Sequence, residues 1–420
     1  MTRHCLPWFW EELEAVEDPR EDPHYAMGQV LGLAVLMFAC RIRSLRGLDR
    51  VSDDARFLDN WCTFTRAKTD TVMCSRQMTN VLARVDWEQL GSMRVRAVKD
   101  MVRNKQLQQA RLLGHVMVVS DGTGVFASSQ HHCARCLTQH HQDGSITYMH
   151  NVLEAKVVAW NGWALSVMTE PQLNPEDGKY DKQDCESKAF KRILARLKQA
   201  FTREPIVHLL DSLYCNGPMF RAIEAVRHKF ICVFKRGCIP TLYEEAFNLL
   251  SFSNQNTIKQ TFGPKGHLIT RVYRWVNDLE HDGVKLSFVI CQETEDGKTT
   301  TFAFLTNFVA DRDNVITIAD GGRKRWTIEN QGFNVQKTGY ELEHFCDCTD
   351  LNVMLCLYVL LQIAHILMQL LATSNLIQPL PALTFLAARL LEDLRNALLP
   401  EDLFAPNPSR IQVRFAKAPP

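Results

Sequence analysis

Apolar residues up to about Gln109 recur at three- and four-residue intervals with polar ones between them, which predicts a run of helices. Asp18-Pro19-Arg20 marks a turn before the second of these, and Ser75 or Thr79 would cap a helix running into Val85. The pattern changes at His115. The stretch HVMVVSDGTGVFAS (His115–Ser128) is apolar and β-rich, and Asp121-Gly122 splits it into two short runs. Thr147–Trp160 and Trp163–Met168 continue the strand signal, with Asn161-Gly162 as the hairpin turn between them. An amphipathic helix follows over Lys188–Arg203. Phe190, Ile193, Leu194, Leu197 and Phe201 line one side of it, and Arg192, Arg196 and Arg203 the other. Ile206–Leu210 then reads as a short buried strand running into Asp211. A helix over Pro218–Arg227 and a strand over Phe230–Phe234 complete a β-α-β unit.

From Gly237 to about Asn307 the pattern is strand-rich again, with Glu295-Asp296-Gly297 as a turn. Asn314–Lys337 reads as a helix with Gly339 near its C-terminal cap, and the remainder is helical and leucine-rich up to a Pro-rich tail after Pro400. The expected class is α/β. An RNase H-like core over 111–345 would carry a β-rich insertion, 238–307, before its last catalytic helix. A helical N-terminal domain for DNA binding or dimerisation (1–110) and a helical C-terminal region (346–420) would flank it.

Composition changes this picture little. With 420 residues, 46% of them hydrophobic, the chain can bury a sizeable core. A net charge of +1 argues against a disordered chain but not against DNA binding, which depends on local basic faces such as Arg41–Arg50 and Arg94–Lys105. Fourteen cysteines without a secretory leader in MTRHCLPWFWEELEAVEDPR predict reduced thiols and a cytoplasmic protein. Leu351–Leu371 is long enough to span a bilayer. Yet Asn352, Gln362, His365 and Gln369 fall near one stripe and no positive flank adjoins it, so it predicts a buried core helix and no membrane.

Three carboxylates stand out. Asp121 and Asp211 end strands that the proposed topology makes neighbours, and Glu329 sits in the helix that would pack across their edge. Such an oxygen-only set suits two Mg²⁺ or Mn²⁺ ions for phosphoryl transfer. Arg325, Glu329, Phe333 and Lys337 follow at four-residue spacing, so the carboxylate lies between two phosphate clamps, beside Trp326 and Asn330. Asp184 and Glu186 read as the acidic start of a helix. Cys133 and Cys136, at C-x2-C spacing, with His140 and His150 would make a structural Zn²⁺ site, with His131, His132 and His141 as further ligand candidates; two free thiols in a polar loop is the alternative. Cys346 and Cys348 have no partner pair nearby.

The helix WTIENQGFNVQKTGYELEH resembles the signature helix of DDE insertion-sequence transposases, in which a Tyr-Arg-Glu-Lys pattern surrounds the catalytic Glu. Arg325 and Glu329 match its spacing, Lys337 lies one residue later than the family's lysine, and Gly322 holds the tyrosine position. VVSDGTG resembles the family's first-Asp strand, LLDSLYCNGPMF its second, KQDCESKAFKRI the helix between them and EDPREDPHY its opening. The resemblance implies a bacterial, nucleoid-associated enzyme that cuts transposon ends and transfers the strand into target DNA, as a homodimer when two ends are held together. It also implies that the β-rich insertion helps bind the transposon end, where Trp275 would stack on a flipped base. Two alternatives stay open: a metal-dependent nuclease of the same fold that does not join ends, and a transposase-derived DNA-binding protein without catalysis.

Overall fold

The computed structural model describes residues 5–67, 69–252, 255–264, 268–342, 350–377, 381–399 and 413–416. Cys346, Cys348 and the 345/346 boundary lie outside them. The expected N-terminal helices are present: α1 (Phe9–Glu14), α2 (Met27–Ala39), α3 (Leu45–Ser52), α4 (Ala55–Thr65), α5 (Ser75–Leu82) and α6 (Trp87–Arg103). Asp54 and Asp86 cap α4 and α6 by accepting from first-turn amides. The cap of α5 is Cys74, with Gln77 reaching back to its amide. Ser75 instead gives its hydroxyl and amide to Asp49, at 2.6 and 2.7 Å, and so belongs to a tertiary contact.

Eleven strands form one mixed sheet: β1 (Arg111–Leu112), β2 (His115–Ser128), β3 (Leu137–His140), β4 (Ile146–Val158), β5 (Ala164–Gln172), β6 (Ile206–Leu210), β7 (Lys229–Val233), β8 (Thr257–Phe262), β9 (Ile269–His281), β10 (Val284–Glu295) and β11 (Lys298–Thr306). Its path runs β3-β4-β2-β6-β7-β11-β10-β9-β8, with β5 on β4 and β1 on β2. β4 is antiparallel to both β2 and β5, while β2, β6 and β7 are parallel. The crossovers are α7 (Glu186–Ala200) and α8 (Gly217–Ala225). The Asn161-Gly162 turn is present, with Gly162 at φ 93°.

Two expectations need correction. Asp121-Gly122 does not break β2, because antiparallel pairing with β4 carries the strand through Asp121↔Glu154 and Gly122↔Leu153 to a bulge after Gly124. The strand-rich 238–307 segment is also not strand throughout. It opens with α9 (Pro240–Phe252), and its four strands extend the central sheet, since β11 pairs antiparallel with β7.

The helix expected over 314–337 is built in pieces: α10 (Val315–Arg323), a 3-10 turn (Lys324–Trp326), a π-helical segment (Ile328–Phe333) and α11 (Asn334–Tyr340). Its cap is Glu341, at φ 53°, not Gly339. Gly339 lies inside α11 because Arg41 packs there, and an added Cβ would come within 2.7 Å of the guanidinium carbon.

The long apolar segment is helix α12 (Leu351–Thr373), which by length and composition could cross a membrane, yet 78% of its most apolar stretch is buried in the protein. Its polar stripe is hydrogen-bonded inside, His365 Nε2 excepted. Gln362 accepts from Lys156 Nζ at 2.7 Å and exchanges hydrogen bonds with Gln336, His365 meets Gln336 at 2.9 Å, and Gln369 bonds both backbone groups of Ala164. Met354, Leu355 and Leu361 pack with α2 and α5, while Ile366 and Leu370 enter the core beneath β5 and α7. Helix α13 (Leu383–Asn396) joins the same N-terminal cluster, where Asn60 Nδ2 donates to the carbonyls of Leu394 and Ala397. The helices at the two ends of the chain thus share one core.

Candidate active site

The parallel register between β2 and β6 runs from Val116↔Ile206 to Val119↔Leu209. Extended by two residues, it sets Asp121 opposite Asp211, just where β6 stops and β2 continues. Each carboxylate also has a local brace. Asp121 accepts from the amide of Gly122 at 3.0 Å, and Asp211 accepts from both the amide and the hydroxyl of Ser212, the latter at 2.7 Å. Arg325, from the 3-10 turn, places Nη1 3.5 Å from Asp121 Oδ2.

A fourth acid joins them. The carboxylate of Glu186, the first residue of α7, lies against Gly122 so closely that a Cβ there would fall 2.2 Å from Glu186 Oε1. Tyr214, buried in the turn after Asp211, donates its hydroxyl to Glu186 Oε2 at 3.3 Å. The electrostatics follow from this crowding. Burial raises the Asp121 carboxyl to about 6, Arg325 draws it down, and Glu186 and Asp211 push it up again. Burial and then Asp211 raise Glu186, against the Tyr214 hydrogen bond. Burial would also raise Asp211, but the Ser212 bonds and Arg325 outweigh it and hold the carboxyl below its usual range. The two neighbouring carboxyls are therefore shifted in opposite directions.

Glu329 lies in the π-helical segment and is exposed. Among the described residues, Asp121, Asp211 and Glu329 do not form a trio with all ligand oxygens within 4.8 Å of one another. Trp326 is 56% exposed with Arg325 stacked over its ring at 5.8 Å, and Asn330 and Lys337 are exposed further along. Gly322 leaves no room for a tyrosine, because an added Cβ would meet the Phe304 ring at 2.5 Å.

Trp275 does not belong with these residues. It is 3% exposed on β9, in a core cluster with Tyr273, Val289 and Phe304, so its indole is closed to a DNA base. The basic face of α7 is also partly spoken for: Arg192 bridges Glu170 and Asp184, both at 2.6 Å, and Arg196 pairs with Glu170 at 2.8 Å. In the C-x2-C loop the two sulfurs are 3.8 Å apart, and each is 3.3 Å from His150 Nε2. His140 is not part of this group. It pairs with Ile146 at the exposed end of β3.

Sequence reasoning missed Glu186 and Tyr214. An acid at a helix start has an ordinary explanation in the helix dipole, which hid Glu186. The available signal was Gly122, a residue without a side chain beside a candidate catalytic acid, where another group can approach closely.

No family model matches the chain, and no curated protein matches it. Among solved structures the chain is similar to the piggyBac transposase synaptic complex with hairpin DNA, determined by cryo-EM. The match has a TM-score of 0.41 and 9% identity, and covers 97% of this chain and 82% of that one.

Proposed function

We propose that the chain is a DDE-type DNA transposase with an RNase H-like core, which cuts DNA at transposon ends and joins the freed 3′-OH to target DNA. The observation that carries this reading is the facing of Asp121 and Asp211 at the end of the β2–β6 ladder. Arg325 approaches them from the helical segment that also bears Glu329. The strand order β5-β4-β2-β6-β7, antiparallel and then parallel, supports the RNase H-like assignment.

The donor set fits a hard divalent cation. It offers carboxylate oxygens only, and burial, with Glu186 and Asp211 adding to it, raises Asp121 to about 6, a shift that positive charge nearby opposes. Asp121, Asp211 and Glu329 would hold Mg²⁺ or Mn²⁺, with Glu186 beside them. Such ions activate a water or a 3′-OH and stabilise the leaving oxygen of an in-line displacement. Without them, Arg325 supplies the neighbouring positive charge. In the working complex Arg325 and Lys337 would contact phosphate, while exposed Trp326 and Asn330 would flank the DNA. Holding two ends together calls for a homodimer.

The test is cleavage and joining of labelled DNA that carries the element's own ends, with Mg²⁺ or Mn²⁺, by wild type and Glu329→Gln. Metal-dependent cut and joined products that vanish in the variant, with DNA binding retained, support the reading. Equal activity in both proteins removes Glu329 from the chemistry and overturns it. Cuts without joined products would identify a nuclease.

A further inference from the structure

We propose that Cys133, Cys136 and His150 hold a structural zinc ion, and that this ion anchors the segment leading into Glu186. The site lies apart from the carboxylates and does not depend on the function proposed above.

The geometry carries the assignment. Zinc bonds of about 2.3 Å to sulfur and 2.0–2.1 Å to imidazole nitrogen imply tetrahedral edges of about 3.8 Å between two sulfurs and about 3.6 Å between sulfur and nitrogen. The observed separations are 3.8 Å for the two sulfurs and 3.3 Å from each to His150 Nε2. This is the only trio of His, Cys, Asp or Glu among the described residues whose ligand atoms all lie within 4.8 Å of one another. A disulfide would need the sulfurs at about 2.05 Å, far shorter than their 3.8 Å separation. The loop between them is already folded as a knuckle. Cys136 N donates to Cys133 O at 3.2 Å, and Cys133 N donates to Cys136 Sγ at 3.4 Å.

His150 is fully buried, and its Nδ1 has no hydrogen-bond partner. Such a ring, with its other nitrogen aimed at two sulfurs, is costly as a plain core residue and well placed as a ligand. Cys136 is buried as well, whereas Cys133 is partly exposed. The set has soft sulfur and imidazole donors and no carboxylate, which selects zinc over the hard cations suited to the acid site.

What the ion would secure is visible in the surrounding bonds. Asn174 donates its side-chain amide to Cys136 O at 2.8 Å and its backbone amide to Arg135 O at 3.1 Å. Gln183 exchanges hydrogen bonds with both backbone groups of Thr138, at 2.6 and 2.9 Å. Asn174 thereby fastens one end of the stretch that connects β5 to Glu186 on α7 onto the knuckle, and Gln183 fastens the other onto β3 just beyond it.

The test is metal analysis of the full chain purified without chelator, comparing wild type, Cys133→Ser, Cys136→Ser and His140→Ala. We expect one zinc per chain in wild type and His140→Ala, and loss of zinc in both cysteine variants. Zinc-free wild type, full zinc in Cys133→Ser, or zinc lost from His140→Ala each overturns the assignment. Should the cysteine variants fail to fold, Co²⁺ titration of chelator-treated wild type decides. Thiolate-to-cobalt charge-transfer absorption supports the site, and its absence overturns it. Limited proteolysis reads the anchoring: chelator should open new cleavage between Leu173 and Cys185, and an unchanged pattern would remove that part of the proposal.

Discussion

Lys156 illustrates how a residue far from any solvent is committed to one task. It is fully buried on β4, donates to Gln362, and lies under Gly332 and the ring of Phe333 in the π-helical segment. Burial lowers its ammonium to about 8, against a smaller opposing pull from Glu154. The folded pKa is therefore below the unfolded one, so holding the charge inside costs stability. That cost is complete below pH 8 and disappears as pH rises toward the unfolded value near 10.4. Lys156→Met should thus stabilise the protein at pH 7 by roughly 1–3 kcal/mol, an advantage that shrinks toward pH 10. Thermal unfolding of both proteins across that range checks it, and an advantage that does not shrink with pH would refute the account. Gly122 supports a second prediction. In Gly122→Ala the new methyl displaces only the flexible end of Glu186, so stability should stay within about 0.5–1 kcal/mol of wild type. Metal-dependent cleavage should nevertheless fall at least tenfold, as it should in Glu186→Gln. Full cleavage in both variants would make Glu186 a bystander.

At the scale of elements, the π-helical segment changes how Lys337 sits relative to Glu329. With Lys337 eight residues after Glu329, a regular α-helix at about 100° per residue would turn the lysine about 80° away from the carboxylate. A π turn accommodates one extra residue, which brings Lys337 back toward the face of Glu329. Deleting exposed Gln331 should therefore restore regular helix at little cost, leaving circular dichroism and melting temperature nearly unchanged. A collapse in stability would mean that the segment is fixed by packing instead. The sequence could not disclose this segment, because Gly332 lowers helix propensity without marking a π turn and the apolar spacing is compatible with an α-helix. Strand order near Asp121 and Asp211 was legible, since a β-α-β unit leaves parallel pairing as the simple connection. The way β8–β11 continue the sheet was not. It depends on the edge of β7 being free to pair with β11, a long-range match that no local pattern encodes. Trp275 failed for a related reason: alternation marks a strand's two faces without saying that both are covered.

Across the whole molecule, α12 ties the parts together. Its Tyr358 donates to buried Glu154, which also receives Ser166 and Thr169 and faces the Arg94 guanidinium; its Gln362 satisfies Lys156. Without this helix, two charged groups inside the sheet's core lose partners, a change worth several kcal/mol. A fragment spanning 111–345 should therefore be insoluble or molten when expressed alone, as judged by solubility and near-ultraviolet circular dichroism. A cooperative unfolding transition in that fragment would contradict this. The buried polar stripe of α12 was readable from Asn352, Gln362, His365 and Gln369; that its apolar faces serve two different cores was not, because composition does not name partners.

The packing of α2 against α12 also sets a schedule. The first of these helices ends at Ala39 and the second begins at Leu351, so at about 5–20 residues per second the ribosome separates them by roughly 15–60 s. Throughout that interval Val30, Leu31, Ala34 and Phe38 lack the α12 side of their core. The newborn chain must keep this apolar face sheltered, by a chaperone or by the neighbouring helices, until α12 has been made.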